Sequence, residues 1–127
     1  MNAHKVTKTI VKSPVIYKPV GPYSQAILAD KTLYVSGVLG MDPQAQLVCG
    51  GAEAQARQAL DNLCHVLQAG GASLESVVKT TILLARMEDF QAVNQVYTES
   101  VWRRNTPLHG DKCVVYKKLW GGNRLVT

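Results

Sequence analysis

Cysteine is scarce and poorly spaced for a scaffold. Cys49, Cys64 and Cys113 are an odd number with no CxxC pair, which argues against a disulfide framework and for free thiols in a reducing compartment. Long hydrophobic runs are missing too. The longest clear one, Thr81-Ile82-Leu83-Leu84-Ala85, falls far below the roughly 20 residues that span a bilayer, so a soluble protein with no membrane partner is expected. The first 29 residues hold lysines at 5, 8, 12 and 18 and no acid, but not the apolar core of a secretory signal. A cytoplasmic protein is expected, with a mitochondrial one as the alternative. Asn105 is followed by Thr106-Pro107, and no N-glycosylation acceptor occurs elsewhere. Phosphate loops are absent, since Gly37-x-x-Gly40 and Gly50-Gly51 lack both the Walker lysine and the dinucleotide pattern.

What is present suits one domain over residues 1–127, with 46% hydrophobic and 18% charged residues and enough length for a single core. The net charge of +5 is uneven. Residues 1–100 are neutral, whereas Arg103, Arg104, Lys112, Lys117, Lys118 and Arg124 face only Asp111 in the remainder. Such an excess suits an anion or RNA surface. It equally suits a solvated lysine-rich edge, because no stacking aromatics alternate with the charges.

Residues 24–28 and 32–36 read as strands of a hairpin turning at Asp30-Lys31, with β-branched and aromatic residues in Thr32-Leu33-Tyr34-Val35. Gly37, Gly40, Asp42-Pro43, Gly50 and Gly51 then punctuate a long loop. From Ala52 to Ala69 the period becomes helical, with Ala56, Ala59-Leu60, Leu63 and Val66-Leu67 on one face and Gly70-Gly71 as the stop. Val77 to Leu84 reads as an interior strand. Phe90, Val93, Tyr97 and Val101 predict a second helix from about Glu88 to Ser100. Residues 113–116 and 124–127 are further strand candidates. The order β-β, α, β, α, β-β predicts an α+β sandwich, one mixed β-sheet covered on one face by two helices. The other sheet face needs a partner, so an oligomer is expected.

Gly21-Pro22-Tyr23-Ser24-Gln25-Ala26 joins a rigid turn, a polar aromatic and the start of an apolar alternating run. Pro22 fixes its own φ and restricts Gly21, so Tyr23 is held in place. On the residues alone Tyr23 reads as a core-edge aromatic, Ser36 as a strand-end cap and Asn94 as a solvated helix residue. Cys64-His65 and the pair His109 and Cys113 fall short of the four ligands usual for structural zinc. No metal is expected. A nucleophilic pair of Cys113 with His109 would lack anything to orient it.

Gly21-Pro22-Tyr23-Ser24-Gln25, Tyr34-Val35-Ser36-Gly37, Gln58-Ala59-Leu60-Asp61-Asn62-Leu63, Val77-Val78-Lys79-Thr80-Thr81 and Asp89-Phe90-Gln91-Ala92-Val93-Asn94-Gln95-Val96-Tyr97 together resemble the RidA/YjgF family of imine deaminases. The resemblance runs through most of residues 10–100, in the right order and spacing. It implies a chorismate mutase-like fold and a homotrimer with ligand sites at subunit interfaces. The implied activity is hydrolysis of 2-iminobutanoate and 2-iminopropanoate to 2-oxo acids and ammonia, without cofactor or metal. Tyr23 and Ser36 would be the catalytic-site residues, Tyr23 closing the pocket. Gly37, Asn94 and the backbone of Cys113 would contact substrate. Some members are described as ribonucleases or translation inhibitors, so an RNA-binding function stands as an alternative. A noncatalytic ligand-binding or chaperone-like relative is another.

Two family features are missing. A Pro-Ala-Arg arginine pairs with the substrate carboxylate through parallel hydrogen bonds that lysine cannot copy, and here Pro107-Leu108-His109-Gly110 puts Gly110 at that position. A glutamate in an Ile-Glu-Ala run of the last strand directs the attacking water, and this chain stops at Thr127 in that strand. The expectation is a divergent segment over residues 101–110, a last strand cut short, and impaired chemistry.

Overall fold

A computed structural model describes residues 5–102 and 113–118. β1 (Lys8–Val11), β2 (Ala26–Ala29) and β3 (Thr32–Val35) form an antiparallel sheet in that order. The hairpin is the predicted one, with Ala26 opposite Val35 and Ala29 opposite Thr32. Asp30 turns it with φ of 52°, a left-handed conformation that Asp tolerates better than most residues. The Asp30 N–H donates to the Thr7 carbonyl at 3.0 Å, tying the turn to the start of β1. That strand was not predicted. Only Val11 of its four residues is buried, so its sequence carries almost no inward-facing signal.

The pleat divides this sheet by alternation. Val11, Ala26 and Val35 lie in one cross-strand row and turn inward, joined there by Leu28 and Leu33. Ile10, Ile27 and Tyr34 form the neighbouring row on the other face. There Ile10 is 61% and Tyr34 63% exposed.

α1 (Gly51–Ala69) buries the predicted stripe of Ala56, Ala59, Leu60, Leu63, Val66 and Leu67. It ends in a Schellman motif. Gly71 takes φ of +76°, its N–H donates to the Gln68 carbonyl at 3.0 Å, and Ala72 N–H donates to the Leu67 carbonyl at 2.8 Å, which satisfies carbonyls that the helix end would otherwise leave open. β4 (Lys79–Leu84) and β5 (Cys113–Lys118) pair in parallel, an arrangement that needs a crossover connection, here one containing a helix. That helix is α2 (Phe90–Tyr97), entered through a 3-10 turn at Met87–Asp89 and continued by a π turn at Thr98–Trp102.

Among the described residues the strands therefore form two sheets, where one mixed sheet was expected. The candidate strand at 124–127, which would extend the sheet, lies outside the described residues, as do residues 103–110 of the divergent segment 101–110. The α+β character holds. Ile82 and Leu84 of β4, Val93, Val96 and Tyr97 of α2 and Ala56, Leu60, Leu63 and Leu67 of α1 pack with Val38 in one cluster, Val66 joins Val11, Ala26, Tyr17 and Met41 in a second, and Leu33 and Val35 lie against both. No helix among the described residues is long and apolar enough to cross a membrane.

Inside this core the Tyr97 hydroxyl donates to Thr80 Oγ1 at 2.6 Å. Burial raises the Tyr97 pKa above the ordinary 10.0, a shift the Thr80 bond partly opposes. Tyr17, 4% exposed, is raised by burial too, with the hydrogen bond from Leu39 working against the shift. A phenol with a raised folded-state pKa contributes stability that is complete below the unfolded value near 10 and is lost as pH climbs through the folded value. Thermal melts should hold level up to about pH 10 and fall above it. The double variant Tyr17→Phe/Tyr97→Phe should flatten that fall.

Candidate functional site

Three of the residues singled out in the sequence meet in one surface cleft. Tyr23, Ser36 and Gly37 line it, together with Ile16, Tyr17 and Pro19 of the preceding segment, Gln25, Val38, and Val66 from α1. The cleft is shallow and partly open to solvent, with a cavity volume of about 10 Å³. Its mix of apolar walls with a few polar atoms is of the kind small-molecule sites use, while its volume within one chain is only about that of a water molecule.

The Gly-Pro turn builds the rim. Tyr23 N–H donates to the Gly21 carbonyl at 2.8 Å, a three-residue γ-turn centred on Pro22, whose ring already supplies a suitable φ. This delivers Tyr23 to the cleft mouth, 43% exposed. Ser36 closes the hairpin from the other side. Its N–H donates to the Gln25 carbonyl at 3.0 Å and its hydroxyl to the Ser24 carbonyl at 2.6 Å. The hydroxyl proton is thereby committed, leaving the Ser36 oxygen to accept hydrogen bonds. No histidine, carboxylate or cation is among the described lining residues, so nothing there would activate Ser36 as a nucleophile. Its strand-capping and cleft-lining roles coincide.

The opposite wall is held by a residue whose role the sequence hid. Gln25 is buried; its Oε1 accepts from Ser13 N–H at 2.6 Å, and its Nε2 reaches the carbonyls of Ser13 at 3.2 Å and Tyr17 at 3.3 Å. Tyr17 Oη accepts from Leu39 N–H at 2.9 Å. Residues 13–17 are thus clamped at both ends against β2 and the loop after β3. That loop is fixed in turn by buried Asn62, whose Nδ2 donates to the carbonyls of Leu39 and Met41, both at 2.9 Å, while its Oδ1 accepts from Gln58 at 2.9 Å. The motif residues Gln25 and Asn62 are clamps, and a polar side chain inside an apolar stripe was the only sign of either.

Among the described lining residues of this cleft Asn94 does not appear. Asn94 sits half-buried on α2, its carbonyl accepting from Thr98 Oγ1 at 2.8 Å. Cys113 opens β5 in register with Lys79, on the other sheet. Gly110 and His109 lie outside the described residues. Cys49 is exposed and Cys64 half-buried, and neither forms a disulfide among the described residues. Among the described residues no three His, Cys, Asp or Glu side chains gather as a metal-holding group.

Fold and cleft together define a small α+β protein with a shallow cleft where a Gly-Pro turn meets a hairpin end. The family model for Endoribonuclease L-PSP matches residues 14–120, and the chain belongs to that family, the RidA/YjgF group. It is 52% identical over 81 residues to a human protein named 2-iminobutanoate/2-iminopropanoate deaminase, covering 63% of this chain and 59% of the human one. It is 45% identical over 116 residues to a RutC family protein of Synechocystis, covering 90% of this chain and 88% of the relative. Among solved structures, one from Entamoeba histolytica described as an endoribonuclease L-PSP superposes with a TM-score of 0.82 at 32% identity, covering 94% of each chain.

Proposed function

We propose that this chain is a RidA-like deaminase that hydrolyses 2-iminobutanoate and 2-iminopropanoate to the 2-oxo acids and ammonia. The observation that carries this reading is the convergence of Tyr23, Ser36 and Gly37 on one cleft in a chain half identical, over 81 residues, to a protein of that name. In the proposed reaction water adds to C2 of the imine, the nitrogen takes up a proton, and the C–N bond breaks to release ammonia. The apolar walls and Tyr23 at the mouth orient the small substrate, and the Ser36 oxygen is free to accept a hydrogen bond from the protonated imine nitrogen. Positioning of this kind lowers a barrier without a covalent intermediate. With Gly110 at the arginine position, the reaction is expected to run more slowly than in a member that has the arginine.

Asn94 and Cys113 enter the proposal as contacts to substrate in an assembled site between subunits. The apolar row Ile10, Ile27 and Tyr34 on the outer sheet face, in which Ile10 and Tyr34 are exposed and Ile27 is half-buried, supports a homotrimer in which that face is covered. Tyr34→Lys should therefore lower the sedimentation coefficient to that of a monomer, and a natural chain already monomeric at tens of micromolar would remove the trimer.

The test of the activity couples the chain to a threonine dehydratase and follows 2-oxobutanoate release. Acceleration over spontaneous hydrolysis is expected, and its absence would end the enzymatic reading. The family description as an endoribonuclease and the basic excess after residue 100 favour RNA binding as a second reading. It requires affinity that falls steeply from about 50 to 200 mM salt.

A further inference from the structure

We infer that Gly21 is a positioning residue for Tyr23, its bare Cα forming the seat that sets the angle of the aromatic ring at the cleft mouth, an inference that rests on the reading of the cleft as the substrate site. Gly21 does not take the positive φ of Gly50, Gly51 and Gly71, so its φ is open to any L-residue. The position needs the missing Cβ instead. A Cβ there would stand 3.2 Å from Tyr23 Cε1 and 3.3 Å from Tyr23 Cδ1, inside the about 3.5 to 4.0 Å at which carbon atoms pack. Apart from the chain neighbours, no other described residue comes within 4 Å of it. The Tyr23 ring therefore occupies the space that a side chain at position 21 would fill.

The turn leaves the ring as the part that must give. Tyr23 N–H is bonded to the Gly21 carbonyl at 2.8 Å, and the Pro22 ring fixes the φ between them. Gly21 and Tyr23 are both exposed, so crowding at Gly21 is relieved by rotation of the Tyr23 side chain into solvent and not by repacking of the core. Tyr23 lines the cleft, so a change at Gly21 reaches the site through this ring. A misplacement of 1 Å costs about a hundredfold in rate, and a ring shifted by a few tenths of an ångström should cost about three- to fivefold.

Gly21→Ala tests the assignment through two readouts, ring signals in NMR spectra of the chain with labelled tyrosines and the rate of 2-oxobutanoate release from dehydratase-generated 2-iminobutanoate. Tyr23 is one of five tyrosines, and its signals are those that vanish in Tyr23→Ala. Gly21→Ala should move these signals more than those of the other four, lower the accelerated rate about three- to fivefold and leave the thermal melt unchanged, as expected at an exposed site. The same loss should appear in a Tyr23→Phe chain, which keeps both ring atoms, and disappear in a Tyr23→Ala chain. Unmoved Tyr23 signals would overturn the proposal. Moved signals with an unchanged rate would overturn it as well and leave the cleft reading standing. An equal loss in the Tyr23→Ala chain would overturn it too, because Gly21 would then act through the backbone. A natural chain with no acceleration would overturn the cleft reading and this proposal with it.

Discussion

Gly40→Ala is expected to cost about 3 kcal/mol or more and to lower the melting temperature by about 10 °C or more. Gly40 is buried where the loop after β3 crosses α1. A Cβ there would stand 2.4 Å from the Gln55 carbonyl oxygen and 2.6 Å from Gln55 Cα. Both atoms are helix backbone, so no side chain can swing aside. Either α1 moves off the loop or the loop moves off α1, and Val38, Leu39 and Met41, all buried, move with it. Against a typical total of about 5 to 15 kcal/mol this is a large fraction. Because Val38 also lines the cleft, ligand binding should weaken in parallel. A melting curve matching that of the natural chain would show that the contact relaxes without repacking.

Asn62→Leu should cost about 2 to 4 kcal/mol, although leucine has the same branched heavy-atom skeleton as asparagine and is apolar like its neighbours on the helix stripe. The loss is in hydrogen bonding. The two Asn62 donations to the Leu39 and Met41 carbonyls disappear, and a buried group stripped of its partner costs about 1 to 3 kcal/mol. Gln58, whose Nε2 donates to Asn62 Oδ1 at 2.9 Å, is only part-buried and can turn to water. Chemical denaturation with an unchanged m-value and a lower midpoint would confirm a stability effect confined to the native state. A midpoint equal to that of the natural chain would mean that both carbonyls find other donors.

These two positions show what could be read from the chain and what could not. The β2–β3 hairpin and α1 were legible because their periodicities are clean and their stops carry the right residues, Asp30 and Gly70-Gly71. β1 was not. Lys8-Thr9-Ile10-Val11 buries only Val11, so its pairing with β2 is a tertiary fact that leaves little mark on local pattern. The second helix was placed correctly but drawn too long as a regular α-helix, since the 3-10 and π turns at its ends keep helical spacing while changing the hydrogen-bond ladder. The division into two sheets depends on which strands become neighbours, which alternation does not encode.

The cleft was legible in its rim. Gly21-Pro22-Tyr23 declares a turn that fixes an aromatic, and Ser36-Gly37 marks the hairpin end beside it. Its far wall was hidden, because Tyr17 and Gln25 meet only after the chain reverses through residues 18–24, and Val66 comes from a helix forty residues away in the chain. Gln25 looked like an ordinary polar residue near the start of the first hairpin strand. Its burial and its bonds to Ser13 and Tyr17 follow from the docking of residues 13–17, which local spacing does not specify.

The measurement that bears most directly on the account is the rate of 2-oxobutanoate formation from dehydratase-generated 2-iminobutanoate, compared between the natural chain and Tyr23→Ala. Tyr23 is 43% exposed, so its removal should leave the melting temperature nearly unchanged and isolate its part in closing the cleft. The natural chain should accelerate the hydrolysis, and Tyr23→Ala should lose about tenfold of that acceleration through poorer positioning of substrate. A Tyr23→Ala chain as fast as the natural one would contradict the claim that this cleft is where the imine is hydrolysed.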